Sequence, residues 1–126
     1  MPRIGRAWAA LPLAALLSGC GGPAPRVISA ARAIGDPAHG VVLIKAYGCG
    51  ACHEIPGVSG ARGLVAPPLT AMGRRTLIAG LLPNTAPNMV RWLRSPQSVV
   101  PGNGMPDMGM SEDDAKDIAA YLHTLR

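Results

Sequence analysis

The most restrictive feature of the sequence is the run Cys49-Gly50-Ala51-Cys52-His53. Two cysteines separated by two residues and followed at once by a histidine form the pattern of c-type haem attachment. Because residues three apart lie on one side of a helical turn, both thiols can add to the two vinyl groups of one haem. The adjacent histidine is then placed to bind the iron, and the two small residues leave room for the porphyrin. The motif therefore predicts one covalently bound haem c.

Two other sites use a pair of cysteines at this spacing. A thioredoxin-type redox pair needs a strand–helix context, and half of a zinc site needs a second pair of ligands. The third cysteine, Cys20, is distant in the sequence, and the other histidines are His39 and His123. The histidine that directly follows the cysteine pair favours haem over both alternatives.

The composition is consistent with a core that is partly filled by a cofactor. The chain has 126 residues, enough for one domain, with 16 Gly, 13 Pro and no Phe. So many glycines and prolines exclude a long coiled coil or a regular helical bundle. Aromatic side chains normally dominate the burial of a small core, and beyond the N-terminal segment this chain has only Tyr47, Trp92 and Tyr121.

The N-terminus has the features of an export signal. Arg3 and Arg6 precede an apolar run over residues 7–17. As a helix this run rises roughly 17 Å, well short of the ~30 Å hydrocarbon core of a bilayer, so a secretory signal is a better interpretation than a membrane span. It ends in Leu17-Ser18-Gly19-Cys20, which resembles a bacterial lipobox. An ordinary cleaved signal with an accidental cysteine is the alternative.

These features predict three segments. Residues 1–19 are expected to be a lipoprotein signal peptide, residues 20–34 the lipid-anchored Cys20 with a flexible linker, and residues 35–126 a single domain. The domain would face the periplasm or another extracytoplasmic space. Removal of residues 1–19 would take away two of the 12 Lys and Arg residues, which leaves 10 against 7 Asp and Glu. This mild charge and the few aromatic residues argue against nucleic-acid binding.

The mature sequence predicts short helices separated by long loops. Asp36 is a good N-cap with Pro37 in the first helical position, and this helix is expected to end near Ala46, before Gly48. Two further helices are expected over residues 76–82 and 86–94, and loops over residues 54–68 and 99–109.

The last helix carries the clearest signal. Ser111 and Asp114 form a capping box, and the residues after them place an apolar stripe at helical spacing: Ile118, Ala119, Tyr121, Leu122 and Leu125. No strand pattern is evident. The predicted fold class is all-α.

From Gly35 to Leu125 the sequence resembles a class I cytochrome c. In that family an N-terminal helix leads into the haem motif and a C-terminal helix crosses it. Gly40 matches the small residue at the crossing, and Tyr121 matches the aromatic residue packed there. The resemblance implies a cytochrome c fold, with short helices and long loops wrapped around one covalent haem.

The resemblance also implies a second axial ligand opposite His53. In the family it is a methionine after a Gly/Pro-rich loop, shortly before the last helix. Met105 matches because Pro106 follows it, whereas Met108 and Met110 compete without that match.

Further cofactor contacts are implied by position. Pro67 or Pro68 resembles the proline whose carbonyl accepts a hydrogen bond from the second ring nitrogen of the haem histidine. Gly73-Arg74 and Trp92 resemble donors to the haem propionates. In contrast, Met72 and Met89 are expected to be core residues, His39 and His123 to lie at the surface, and the acidic residues 112–114 to favour a helix N-terminus.

A haem with both axial positions occupied by protein suits outer-sphere electron transfer, not catalysis. The resemblance therefore implies a membrane-tethered respiratory electron carrier and not an enzyme. The expected partners are a terminal oxidase, as preferred acceptor, or a cytochrome bc complex. The alternatives are an electron-transfer subunit of a larger redox complex, or a haem protein whose open iron site binds a small ligand.

The lipobox generates a test at Cys20. Because the lipid is attached to the thiol and cleavage follows lipidation, Cys20→Ser should abolish fatty-acid labelling and leave the chain uncleaved at this position. Metabolic labelling and the mass of the mature protein would measure both effects. A wild-type protein that is unmodified and cut elsewhere would contradict the lipobox interpretation.

Overall fold

The computed structural model describes residues 25–126, apart from the side chains of residues 25 and 27–29. The predicted signal peptide and Cys20 lie outside the described residues. The described elements are helices α1 (Pro25–Arg32), α2 (Pro37–Ala46), α3 (Ala86–Arg94), α4 (Pro96–Val99) and α5 (Glu112–Thr124), 3₁₀ turns at Cys49–Ala51 and Met72–Arg74, and strands β1 (Leu77–Ile78) and β2 (Leu82–Pro83). None of these helices combines the length and the hydropathy needed to cross a membrane. The prediction of a mostly helical fold with short helices is confirmed.

Side-chain caps start three of the helices. The Asp36 carboxylate accepts the Ala38 N–H at the start of α2, and the Ser111 hydroxyl accepts the Asp114 N–H at the start of α5, 3.1 Å away. Thr85 caps α3 in the same way. The predicted helices that begin after Asp36, over residues 86–94 and after Ser111 are therefore confirmed.

Helices α2 and α5 pack closely where they cross. A Cβ atom built on Gly40 would clash with the carbonyl oxygen of Asp117 and lie 3.1 Å from the Cβ atom of Tyr121. Beside this contact, Ile44 of α2 and Ile118 of α5 are almost completely buried. The predicted contact between Gly40 and the last helix is confirmed.

Hydrogen bonds of α5 side chains hold the crossing in place. Asp117 accepts the backbone N–H of Asp36 at 2.7 Å and pairs with His39 Nδ1 at 2.8 Å. This hydrogen bond raises the pKa of His39 above its ordinary value. The Tyr47 hydroxyl donates to the Asp114 carboxylate at 2.7 Å, which lowers the pKa of Asp114.

The helix predicted over residues 76–82 is wrong, because this segment forms an antiparallel hairpin. Strand β1 pairs with β2 in the register Leu77↔Pro83 and Ile78↔Leu82. The turn between them contains Ala79 at φ +51° and Gly80 at φ +71°. Positive φ at two successive residues produces a hairpin turn and cannot continue a right-handed helix.

The flexible linker predicted over residues 20–34 also differs from the structure. Residues 25–32 form α1, which packs against α2 and α5. Ala31 is only 2% exposed, and this burial stabilises a helix in a segment whose alanines already favour one. The sequence had likewise not predicted α4, which follows α3 directly.

The contact at Gly40 is testable by Gly40→Ala. Helix propensity alone predicts a gain of ~1 kcal/mol for this change in a helix interior. The clash with Asp117 predicts the opposite sign, a loss of about 1–3 kcal/mol in the free energy of unfolding. Chemical denaturation would measure it, with Val42→Ala as control, since Val42 in the same helix is 59% exposed and should change stability by less than ~0.5 kcal/mol. A stabilised Gly40→Ala protein would contradict the close crossing.

Candidate functional site

The cysteine motif forms a tight turn directly after α2. Gly48 adopts φ +69° and redirects the chain into the 3₁₀ turn at Cys49–Ala51. The His53 N–H then donates to the carbonyl of Cys49 at 3.0 Å. Cys49 is half-buried and Cys52 is exposed, and burial raises the pKa of the Cys49 thiol. The turn thus presents two thiols and an imidazole within five residues of chain.

Close backbone contacts with the loop that follows support this turn. A Cβ atom on Gly50 would lie 2.7 Å from the Cα atom of Ala61, and one on Gly63 would clash with the backbone of Ala51 and Cys52. The Gly63 N–H donates to the carbonyls of Gly50 and His53. The loop over residues 54–68 therefore packs as a fixed support for the motif.

The orientation of His53 is set by one hydrogen bond. Its Nδ1 lies 2.8 Å from the carbonyl oxygen of Pro67. Since a carbonyl oxygen only accepts, Nδ1 must carry a proton, and in the neutral ring Nε2 is then the nitrogen with the free lone pair. This arrangement, in which one ring nitrogen donates to a backbone carbonyl, is typical of metal-ligating histidines. Pro67, and not Pro68, is the partner.

Arg75 holds the same loop. Its guanidinium donates to the carbonyls of Pro68 and Thr70. In contrast, Arg74 is exposed and the structure does not bring it to the cleft that His53 lines. The adjacent Arg-Arg pair was the available signal, but the sequence could not show which of the two faces the loop.

His53 lines a narrow cleft of about 60 Å³ with apolar walls. Helices α2, α3 and α5, the 3₁₀ turns and the loops all contribute to its lining: Ile44, Cys49, His53, Ile55, Leu69, Met72, Met89, Trp92, Leu93, Met105, Ile118 and Leu122. A thiol, an imidazole and a thioether therefore meet in one apolar space. This is the donor set that haem c uses, so the residues fit such a group.

Only some of the methionines reach the cleft. Met105, the predicted ligand, is half-buried and lines it, whereas Met108 and Met110 do not. Met72 and Met89 also line it, but they belong to the hydrophobic core, with exposures of 5% and 1%. The predicted core positions of these two residues are confirmed. Trp92 also lines the cleft.

The remaining predicted polar groups lie outside the cleft. His39 is exposed and pairs with Asp117. His123 is half-buried, not exposed as predicted: its Nε2 is buried without a hydrogen-bond partner in the described part of the chain, and burial lowers its pKa. Among residues 25–126, no group of three or more His, Cys, Asp or Glu side chains could hold a metal ion.

Comparison with known proteins places this architecture in a family. Residues 37–126 match the family model for cytochrome c. The chain is 42% identical over 79 residues to cytochrome c oxidase subunit 2 of Alkalihalophilus pseudofirmus. This match covers 62% of the chain and 22% of that protein. It is 35% identical over 93 residues to the same subunit of Bacillus subtilis. This match covers 69% of the chain and 26% of that protein. The chain thus spans about a quarter of the length of these relatives, and no solved structure gives a significant match. With a family match that includes the cysteine motif, the cleft and the last helix, the chain belongs to the cytochrome c family.

Proposed function

We propose that this cytochrome c attaches one haem c through Cys49 and Cys52, uses His53 and Met105 as axial ligands, and carries single electrons by outer-sphere transfer. The observation that supports the proposal most directly is the hydrogen bond from His53 Nδ1 to the Pro67 carbonyl. It orients the ring of His53, which lines the same apolar cleft as Met105.

Bound haem c supplies a one-electron iron couple. His53 and Met105 would hold the iron from the protein and leave no position for a substrate, so the site would carry electrons instead of catalysing a reaction. The Met105 thioether is a soft ligand that favours ferrous iron, and the surrounding apolar side chains strengthen this preference. Ligands held by a packed fold would also move little when the iron gains or loses an electron.

A respiratory terminal oxidase is the acceptor that we propose. The relatives are named as cytochrome c oxidase subunit 2, and this chain is similar to one part of them. A cytochrome bc complex is the corresponding donor. A lipid at Cys20, a few residues before α1, would hold the domain at the outer face of a membrane and raise its concentration near membrane-bound partners.

A second candidate is an electron-transfer subunit of a larger redox complex. It is favoured by the observation that similar sequences form about a quarter of longer proteins. Purification of the membrane-bound form distinguishes the two roles: a stoichiometric partner supports the subunit, and a chain that purifies alone but reduces an added oxidase supports the shuttle.

The attachment of haem predicts the behaviour of a Cys49→Ala, Cys52→Ala double variant. With neither thiol available to form a thioether, haem that survives denaturing electrophoresis should be lost completely. Haem-dependent peroxidase staining of the gel would measure it, with His39→Gln as a control that keeps both cysteines. Covalent haem retained in the double variant would contradict the assignment.

The axial role of Met105 predicts a matched pair of outcomes. Met105→Ala should open a coordination position, abolish the iron–thioether charge-transfer band of the oxidised protein, lower the reduction potential and allow carbon monoxide to bind the reduced protein. Met108→Ala should change none of these, because Met108 does not line the cleft. Met110→Ala removes a residue that is only 5% exposed and should cost about 2–5 kcal/mol of stability while the band is retained.

Electron transfer is tested with the same variants. Stopped-flow mixing of the reduced wild-type protein with a terminal oxidase should show rapid oxidation. The Met105→Ala protein should be oxidised more slowly, because without the thioether the ligands of its iron differ between the ferrous and the ferric state. If the wild-type protein lacks the charge-transfer band and binds carbon monoxide readily, the iron site is open, and the carrier mechanism is wrong.

A further inference from the structure

We propose that Gln97 and Asn103 are positioning residues, which hold the backbone of Met105 in place and thereby set how tightly this methionine stays on the iron. The inference rests on the proposed function, in which Met105 is an axial ligand. Neither residue lines the cleft, so both act through Met105 and do not contact the cofactor.

Asn103 ties the start of the ligand loop to α4. Its Oδ1 accepts the backbone N–H of Met105 at 2.7 Å. Its Nδ2 donates to the carbonyls of Pro96 at 3.0 Å and Val100 at 2.7 Å, at the two ends of α4. One half-buried side chain therefore uses its acceptor and both of its donors to connect Met105 to a helix.

Gln97, within α4, holds the same loop from the other side. Its Nε2 donates to the carbonyl of Met105 at 2.8 Å and to that of Asn103 at 3.0 Å. Its Oε1 accepts the N–H of Gly102 at 3.0 Å. Both backbone polar groups of Met105 are thus bound by side-chain amides, one from Gln97 and one from Asn103.

Few backbone hydrogen bonds hold the loop. Over residues 101–110, the turn N–H of Asn103, which donates to Val100, is the one backbone–backbone hydrogen bond in the described structure. The segment also contains Gly102 at φ +79° and Gly104, whose added Cβ would meet nothing within 4 Å. A loop of this kind is intrinsically loose. The two amide side chains supply the order that regular secondary structure supplies elsewhere.

This arrangement has a consequence for ligand exchange. An external ligand such as imidazole can bind ferric iron only in the fraction of molecules in which Met105 has left it, so its apparent affinity scales with that fraction. Each hydrogen bond lost from the loop raises the open fraction by about fivefold, given the usual net strength of such a bond. Variants that remove three bonds at once should therefore bind imidazole at least ~10-fold more tightly.

The test compares Asn103→Ala and Gln97→Leu with Asn84→Ala in the holoprotein. Asn84 is the matched control because it is also a half-buried amide that donates to two backbone carbonyls, those of Met72 and Arg75, but it makes no hydrogen bond to the ligand loop. All three changes should lower stability, as measured by denaturation. Only Asn103→Ala and Gln97→Leu should weaken the charge-transfer band and tighten imidazole binding. Equal imidazole affinity in all four proteins would overturn the inference.

A measurement on the wild-type protein needs no variant. The Met105 amide, bound by Asn103, should exchange with deuterium at least ~10-fold more slowly than the amide of Gly104 in the reduced protein. Similar exchange rates at both positions would also overturn the inference.

The Met105→Ala variant separates a failure of the positioning role from a failure of the proposed function. If this change leaves the charge-transfer band intact, Met105 is not the ligand. If the band requires Met105 while the two amide variants behave like Asn84→Ala, the proposed function stands and the positioning role fails.

Discussion

The close crossing of α2 and α5 is the constraint on which the rest of the structure depends. Because Gly40 has no side chain, the backbone of α2 reaches the carbonyl of Asp117, and Asp117 then binds the start of α2. This fixes the end of α2, from which the cysteine turn continues, relative to Ile118 and Leu122 on the cleft wall. The position of the cysteine turn and one wall of the cleft thus depend on a single helix pair.

Beyond the crossing, the His53 side and the Met105 side of the cleft are ordered in different ways. On the His53 side the loop packs by backbone contacts at glycines and by carbonyls that accept from His53 and Arg75. On the Met105 side the order comes from the side-chain amides of Gln97 and Asn103. A rigid imidazole needs one hydrogen bond to fix its plane, whereas a flexible thioether depends on the position of its backbone.

The sequence predicted what depends on local chemistry and missed what depends on tertiary contacts. Caps at Asp36 and Ser111 act within one turn, so these helices were found with accurate starting points. The hairpin over residues 77–83 was missed because its residues favour a helix as much as a strand. Alanine at position 79 also gives no local sign of the positive φ that it adopts. Helix α1 was missed because packing against α5 stabilises it. At the site, spacing identified Cys49, Cys52 and His53 as candidates, but the choice of Pro67 over Pro68 required coordinates.

The scarcity of aromatic residues links the stability of this fold to its cofactor. The residues that form the buried core, among them Ile44, Met72 and Leu93, are also walls of the cleft. The core therefore lines a cleft instead of closing on itself. A bulky apolar group in that space gains contacts with these side chains only in the folded chain, so it stabilises the native state. Covalent attachment makes this gain independent of the free cofactor concentration, which suits a small domain with long loops and few large side chains of its own.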